Sequence, residues 1–161
     1  CFACGGCSGT EKCLFDDDIV NDIADKAIAA DGLIIGSPVY YAGMNGTLSS
    51  LLDRLFFSAG KHFRYKPAAA VVSARRAGTT TALDEIEKYF TISEMPVVSS
   101  SYWTMVHGAK PEDVEKDREG LQVMENLARN MAWMLRCIEA GRNAGILPPE
   151  NTYTERTNFI R

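Results

Sequence analysis

The chain has 161 residues, 46% of them hydrophobic and 24% charged, which is enough apolar content for the core of a single domain. A formal net charge of −4 gives no electrostatic footing for nucleic acid. No apolar run approaches the roughly 18 residues of a membrane helix, and no basic–apolar signal segment is visible, so the expected setting is the cytoplasm, away from membranes.

Four of the five cysteines come first, as Cys1, Cys4, Cys7 and Cys13 in a C-x2-C-x2-C-x5-C run with Gly5-Gly6 inside it. Thiolates this close in sequence suit a metal, because short loops let several sulfurs converge and glycine tolerates the backbone angles that such wrapping needs. The spacing is close to that of bacterial [4Fe–4S] ligands. Tetrahedral zinc usually takes two separated C-x2-C pairs, and disulfides suit an oxidising compartment. Bare thiols are the remaining alternative.

Asp16-Asp17-Asp18 predicts an acidic helix start, carboxylates being favoured at the positive end of the helix dipole. Ile19, Ile23, Ala27 and Ile28 form the stripe of that helix, which ends by Asp31-Gly32. Leu33-Ile34-Ile35 then predicts a buried parallel strand. It opens into Gly36-Ser37-Pro38-Val39-Tyr40-Tyr41, small and stiff residues at a strand's carboxyl end, where open α/β sheets bind ligands. The two tyrosines offer flat faces suited to a planar heterocycle. Asn45-Gly46-Thr47 supplies capping oxygens for a helix from Leu48 to Phe57.

Ala68 to Val72 is the predicted second parallel strand, ending in the small-residue loop Ser73-Ala74-Arg75-Arg76-Ala77-Gly78. Ala82, Leu83, Ile86, Tyr89 and Phe90 mark the helix after it, and Met95-Pro96-Val97-Val98 is the predicted third strand. Ser99 to Gly108 reads as a loop carrying His107. One long helix is predicted from Pro111 through Ile138, ending at Gly141–Asn143, and Cys137 on it is expected to be a buried structural cysteine. Residues 143–161 read as a C-terminal arm against the domain or a partner subunit. Strands alternating with amphipathic helices predict an α/β three-layer sandwich with a parallel sheet.

At Gly36 to Tyr41, with Leu48 and Asp53-Arg54, the sequence resembles the flavodoxin-like NAD(P)H-dependent FMN reductase and iron–sulfur flavoprotein family, and the likeness runs on to Thr157-Asn158-Phe159-Ile160-Arg161. The resemblance implies the five-stranded flavodoxin-like order, and the cysteine run matches the compact motif of the iron–sulfur members. It implies that Ser37, Pro38, Val39, Tyr40, Tyr41, Gly43, Met44, Ser73, Ala74, Arg75, Arg76 and Gly78 hold FMN, and that Cys1, Cys4, Cys7 and Cys13 hold a [4Fe–4S] cluster. Arg75 and Arg76 would place positive charge near the reduced flavin or meet a dinucleotide phosphate. His107 would stand near the acceptor, as a histidine beyond this strand does in some related quinone reductases.

The implied activity is electron transfer from NAD(P)H or reduced ferredoxin through FMN to a quinone, flavin, metal or iron–sulfur acceptor, with no side-chain catalytic residue and with a homodimer or homotetramer as the assembly. Two other readings stay open, a non-catalytic FMN/[4Fe–4S] electron carrier and a cysteine-based metal- or redox-sensing module. A domain of this kind would open with a strand, a phosphate loop, a helix and a second strand. Since the chain starts inside the cysteine loop, the expectation is an N-terminally truncated domain in which that first unit is missing.

Overall fold

The computed structural model describes residues 1–157 and 159. After the cysteine loop the elements are α1 (Val20–Ala29), β1 (Leu33–Tyr40), β2 (Gly43–Met44), α2 (Gly46–Ala59), a 3-10 turn (Gly60–Phe63), β3 (Ala68–Ala74), α3 (Thr79–Ile92), β4 (Met105–His107), α4 (Pro111–Val114) and α5 (Arg118–Asn143). The sheet order is β2-β1-β3-β4, with β1–β3 and β3–β4 parallel and the two-residue β2 antiparallel to the end of β1. The α/β sandwich with a mostly parallel sheet is the architecture expected.

Each side of β3 faces its own core. Ala68, Ala70 and Val72 pack with Ala24 and Ala27 of α1, Leu52 and Leu55 of α2, and Ala82, Leu83, Ile86 and Phe90 of α3. Ala69 packs on the opposite side with Val98, Leu127 and Met131, the last two from α5. A strand covered on both faces has no polar side, which is why the alanine–valine run carries none until Ser73. Truncating Leu127 or Met131 to Ala would cost about 2–5 kcal/mol, as buried large-to-small changes do.

β1 is covered on one face only. Leu33, Ile35, Ser37 and Val39 turn toward the helices, while Ile34, Gly36, Pro38 and Tyr40 are exposed, because α5 reaches only the β3 side of that face. From Leu33 to Pro38 the outer edge of β1 has no strand partner among the described residues.

Four expectations are corrected. The third strand does not stop at Val98: residues 96–98 hydrogen-bond to Ala68, the chain loops out over 99–103, and it rejoins β3 as β4 at Met105–His107. Thr104 bridges the gap, its hydroxyl donating to Ala70 O at 2.6 Å and its carbonyl accepting from Val72 N at 3.0 Å. The long helix is two helices, α4 being one turn, because Asp117 caps α5 by accepting from Gly120 N at 2.9 Å. Cys137 is exposed, since α5 buries only the stripe Gly120, Val123, Leu127 and Met131. β1 runs through Pro38 to Tyr40, so the turn is Tyr41-Ala42 rather than the Gly-Ser-Pro segment. Residues 158, 160 and 161 of the Thr157–Arg161 motif lie outside the described residues.

Candidate functional site

Two clusters of chemistry sit at opposite parts of α2. The first lies at the carboxyl ends of β1 and β3. Tyr41 and Ala42 have φ of +51° and +61°, the left-handed pair that closes a two-residue hairpin between β1 and β2. Glu85 of α3 holds the hairpin from below, its Oε2 accepting from Met44 N at 2.7 Å. The Ser37 hydroxyl accepts from Asn45 N at 2.9 Å and donates to Pro38 O at 2.8 Å. Asn45 then caps α2, accepting from Thr47 N at 2.9 Å and Leu48 N at 3.2 Å.

The loop after β3 lies against this hairpin. Pro38 pairs with Ser73 in the sheet register, and Gly78 has φ +90° with its virtual Cβ only 2.5 Å from Ala42 Cα. No other residue type fits at Gly78 without moving one loop off the other. The structure therefore brings together the twelve residues that the resemblance assigns to FMN, but they divide by direction. Ser37, Met44 and Ala74 are buried, and Val39 packs on the core. Pro38, Tyr40, Tyr41, Arg75 and Arg76 form an open surface. Neither arginine enters a salt bridge among the described residues. Aromatic faces beside two uncommitted guanidinium groups fit a planar ring that gains negative charge on reduction.

His107 adjoins this surface, opposite Ala74 in the register. Its backbone N–H donates to Asp117 Oδ2 at 2.7 Å, with the ring Nδ1 at 3.6 Å from the same oxygen. The Gly120 and His107 amides hold the Asp117 carboxyl below its ordinary range.

The second cluster is the cysteine loop. Cys1, Cys4, Cys7 and Cys13 line one small recess, walled by Phe2, Leu14, Phe15 and Phe57 and bordered by Arg54. Positive φ at Ala3, Gly5, Gly9 and Glu11 wraps the chain around it. No three of the sulfurs converge to metal-binding distance among the described residues. Four thiols around one apolar recess nevertheless form a donor set that suits a thiolate-ligated centre.

The cysteines are held unequally. Cys13 is pinned on both backbone sides by buried Asn21, whose Oδ1 accepts from Cys13 N at 2.8 Å and whose Nδ2 donates to Cys13 O at 3.0 Å. His62 of the 3-10 turn reaches Glu11 at 2.7 Å, and Lys12 reaches Asp25 at 2.9 Å. Around Cys1, Cys4 and Cys7 the hydrogen bonds are local to the loop, such as Ser8 N to Gly5 O at 3.0 Å and Thr10 N to Cys7 O at 3.2 Å.

The Asp53-Arg54 pair does not face the hairpin surface. Asp53 accepts from the Tyr89 hydroxyl of α3 at 2.5 Å, and burial together with that carboxylate pushes the tyrosine up to about 12. Arg54 turns to the cysteine loop: Nε donates to Cys13 Sγ at 3.3 Å, Nη2 donates to Phe15 O at 2.9 Å, and Nη1 pairs with Asp18. Sequence reasoning placed neither Glu85 nor Asn21 in a site. Single polar residues inside helical stripes gave no periodic signal, and their partners are 41 and 8 residues away.

The family model for NADPH-dependent FMN reductase matches residues 5–110. An iron–sulfur flavoprotein of Methanocaldococcus jannaschii is 34% identical over 86% of this chain and 76% of its own. One from Methanosarcina thermophila is 30% identical over 89% of this chain and 75% of its own. Among solved structures, the Trp repressor binding protein of Bacillus subtilis superposes with a TM-score of 0.54 at 19% identity, covering 70% of this chain and 74% of that one, a likeness of fold.

Proposed function

Because the chain belongs to the NADPH-dependent FMN reductase family, we propose that it serves an FMN-dependent oxidoreductase in which a [4Fe–4S] cluster on the cysteine loop exchanges electrons with the flavin. The observation that carries this reading is the seating of Gly78 on Ala42, which joins two loops at the carboxyl ends of parallel strands. FMN, when bound, supplies two-electron exchange with a nicotinamide and one-electron exchange with metal centres.

This chain's residues provide position and charge. Tyr40 and Tyr41 would offer faces to the ring, residues 73–78 would offer it backbone groups, and Arg75 with Arg76 would offset charge gained on reduction or take a dinucleotide phosphate. Ser37 and Met44 are buried and fix the hairpin from behind. Cys13, its backbone held by Asn21, would be the best-ordered ligand of a cluster, with Cys1, Cys4 and Cys7 supplying the other thiolates. The donor in this reading would be NAD(P)H or reduced ferredoxin, and the acceptor a quinone, flavin, metal or iron–sulfur centre. The open surface over Tyr40 and Tyr41 suits completion by a second copy, so a homodimer or homotetramer belongs to the reading. Among the described residues no helix is long and apolar enough to cross a membrane.

The test is an absorption spectrum of protein purified without oxygen, with iron and acid-labile sulfide assayed on the same sample, followed by addition of NADPH, NADH or reduced ferredoxin. Flavin bands with about four irons per chain support the reading. Flavin without iron leaves a thiol-bearing FMN reductase, and neither chromophore refutes the proposal.

A further inference from the structure

Resting on that reading of the cysteine loop, we propose that Arg54 is a positioning residue that sets the electron affinity of the metal centre, donating an N–H bond to the Cys13 sulfur while Asp18 offsets its charge. Arg54 lies two turns into α2, on a helix fixed at its start by the Asn45 cap. Its side chain is only 15% exposed, and each part of the guanidinium fork is committed on the loop: Nε to Cys13 Sγ at 3.3 Å, Nη2 to Phe15 O at 2.9 Å, Nη1 to Asp18. A structural clamp would need only the carbonyl and the carboxylate. The Nε bond to sulfur adds something else, because N–H donation to a ligand sulfur stabilises the more negative, reduced form of an iron–sulfur centre.

Phe2, Phe15, Leu14 and Phe57 border the recess but are themselves exposed, so it is the cover over Arg54, whose side chain is 15% exposed, that limits water around the N–H bond. Cys13 is also the cysteine whose backbone is hydrogen-bonded on both sides, by Asn21 at 2.8 and 3.0 Å. The donor and the sulfur are therefore both preset before a metal arrives. Asp18 is 42% exposed and caps Val20 N at 3.0 Å besides pairing with Arg54, so it partly neutralises the guanidinium from the solvent side. The process tuned is uptake of one electron, in which no covalent bond forms or breaks.

The experiment is an anaerobic reductive titration of the full chain, followed by electron paramagnetic resonance, on wild type, Arg54→Met, Arg54→Lys and Asp18→Asn, with iron and sulfide measured in each. Arg54→Met should lower the equilibrium constant for one-electron uptake about tenfold, which is about 59 mV for a single electron. Arg54→Lys keeps the charge without the fork and should fall between that variant and wild type. Asp18→Asn retains the Val20 cap and unmasks the guanidinium, so it should shift the opposite way.

Loss of packing would not produce shifts of opposite sign. Unchanged potentials in iron-loaded Arg54→Met and Arg54→Lys overturn the proposal, as does a downward shift in Asp18→Asn. Should Arg54→Met fail to load iron, the signs for Arg54→Lys and Asp18→Asn decide. Wild type that holds no iron removes the cluster itself, a failure distinct from an unresponsive potential.

Discussion

Replacing Gly78 with Ala tests whether the loops after β1 and β3 depend on backbone contact. The added Cβ would sit 2.5 Å from Ala42 Cα, 2.9 Å from Ala42 Cβ and 3.1 Å from Val39 Cγ1. Ordinary contact begins near 3.4 Å, so the loops must part by 3.4 − 2.5 = 0.9 Å, and a backbone carbon cannot rotate away. A non-glycine residue at φ +90° costs about 1–2 kcal/mol, and overpacking adds about 1–3 kcal/mol. The sum, about 2–5 kcal/mol, corresponds to a Tm lowered by roughly 4–20 °C for a domain of this size. Gly145→Ala is the matched control, since Gly145 has φ +80° and open space where its Cβ would go, so it carries the backbone cost alone. Thermal unfolding of both variants, with FMN titration by fluorescence quenching, separates the contributions. Gly78→Ala should unfold at lower temperature than Gly145→Ala and bind FMN more weakly. Equal Tm values with unchanged FMN affinity would refute the contact between the loops.

Three further predictions concern charge. Tyr89 is raised to about 12, so its neutral form stabilises the fold at pH below the ordinary tyrosine value of about 10, and that contribution is lost as pH rises through about 12. Absorbance titration at alkaline pH should show a late tyrosinate phase that Tyr89→Phe removes. Asp117 is depressed, so its cap stabilises α5 fully above the ordinary aspartate value of about 3.9 and is lost as pH falls through the lower folded value. Asp117→Ala should cost about 0.5–2 kcal/mol at neutral pH, with the gap to wild type closing in acid, as read by urea unfolding. Changing Arg75 and Arg76 together to Ala should raise KM for NADPH while leaving Tm unchanged within roughly 1 °C, because isolated surface substitutions move stability little; an unaltered KM would place the dinucleotide elsewhere.

How far the sequence reveals this molecule depends on how local each signal is. The Ala68–Val72 strand and the Asn45 cap are written in adjacent residues, and the structure keeps both. The interruption between Val98 and Met105 was not legible, because Ser99 to Trp103 resembles any polar loop and only pairing with Val72 and Ala74 reveals that the strand resumes. The split between α4 and α5 turns on one aspartate whose capping role needs Gly120 and His107 in place. In the candidate site the motif residues were identifiable by type, but not their direction: consecutive residues Asp53 and Arg54 serve α3 and the cysteine loop respectively. A helix separates neighbours by about 100°, and which way each points is a tertiary fact.

Pro38 limits how a further strand can pair along the outer edge of β1. Leu33 N–H bonds inward to Pro67 O, so by the alternation of a parallel ladder the outward donors belong to Ile34, Gly36 and Pro38. Proline has none, and Val39 and Tyr40 are already taken by β2. Any strand laid along Leu33 to Pro38 would find two amides and then a stop, with the hairpin fixing where it ends. Proline at this place and the two-residue β2 together pin the register of whatever strand pairs there.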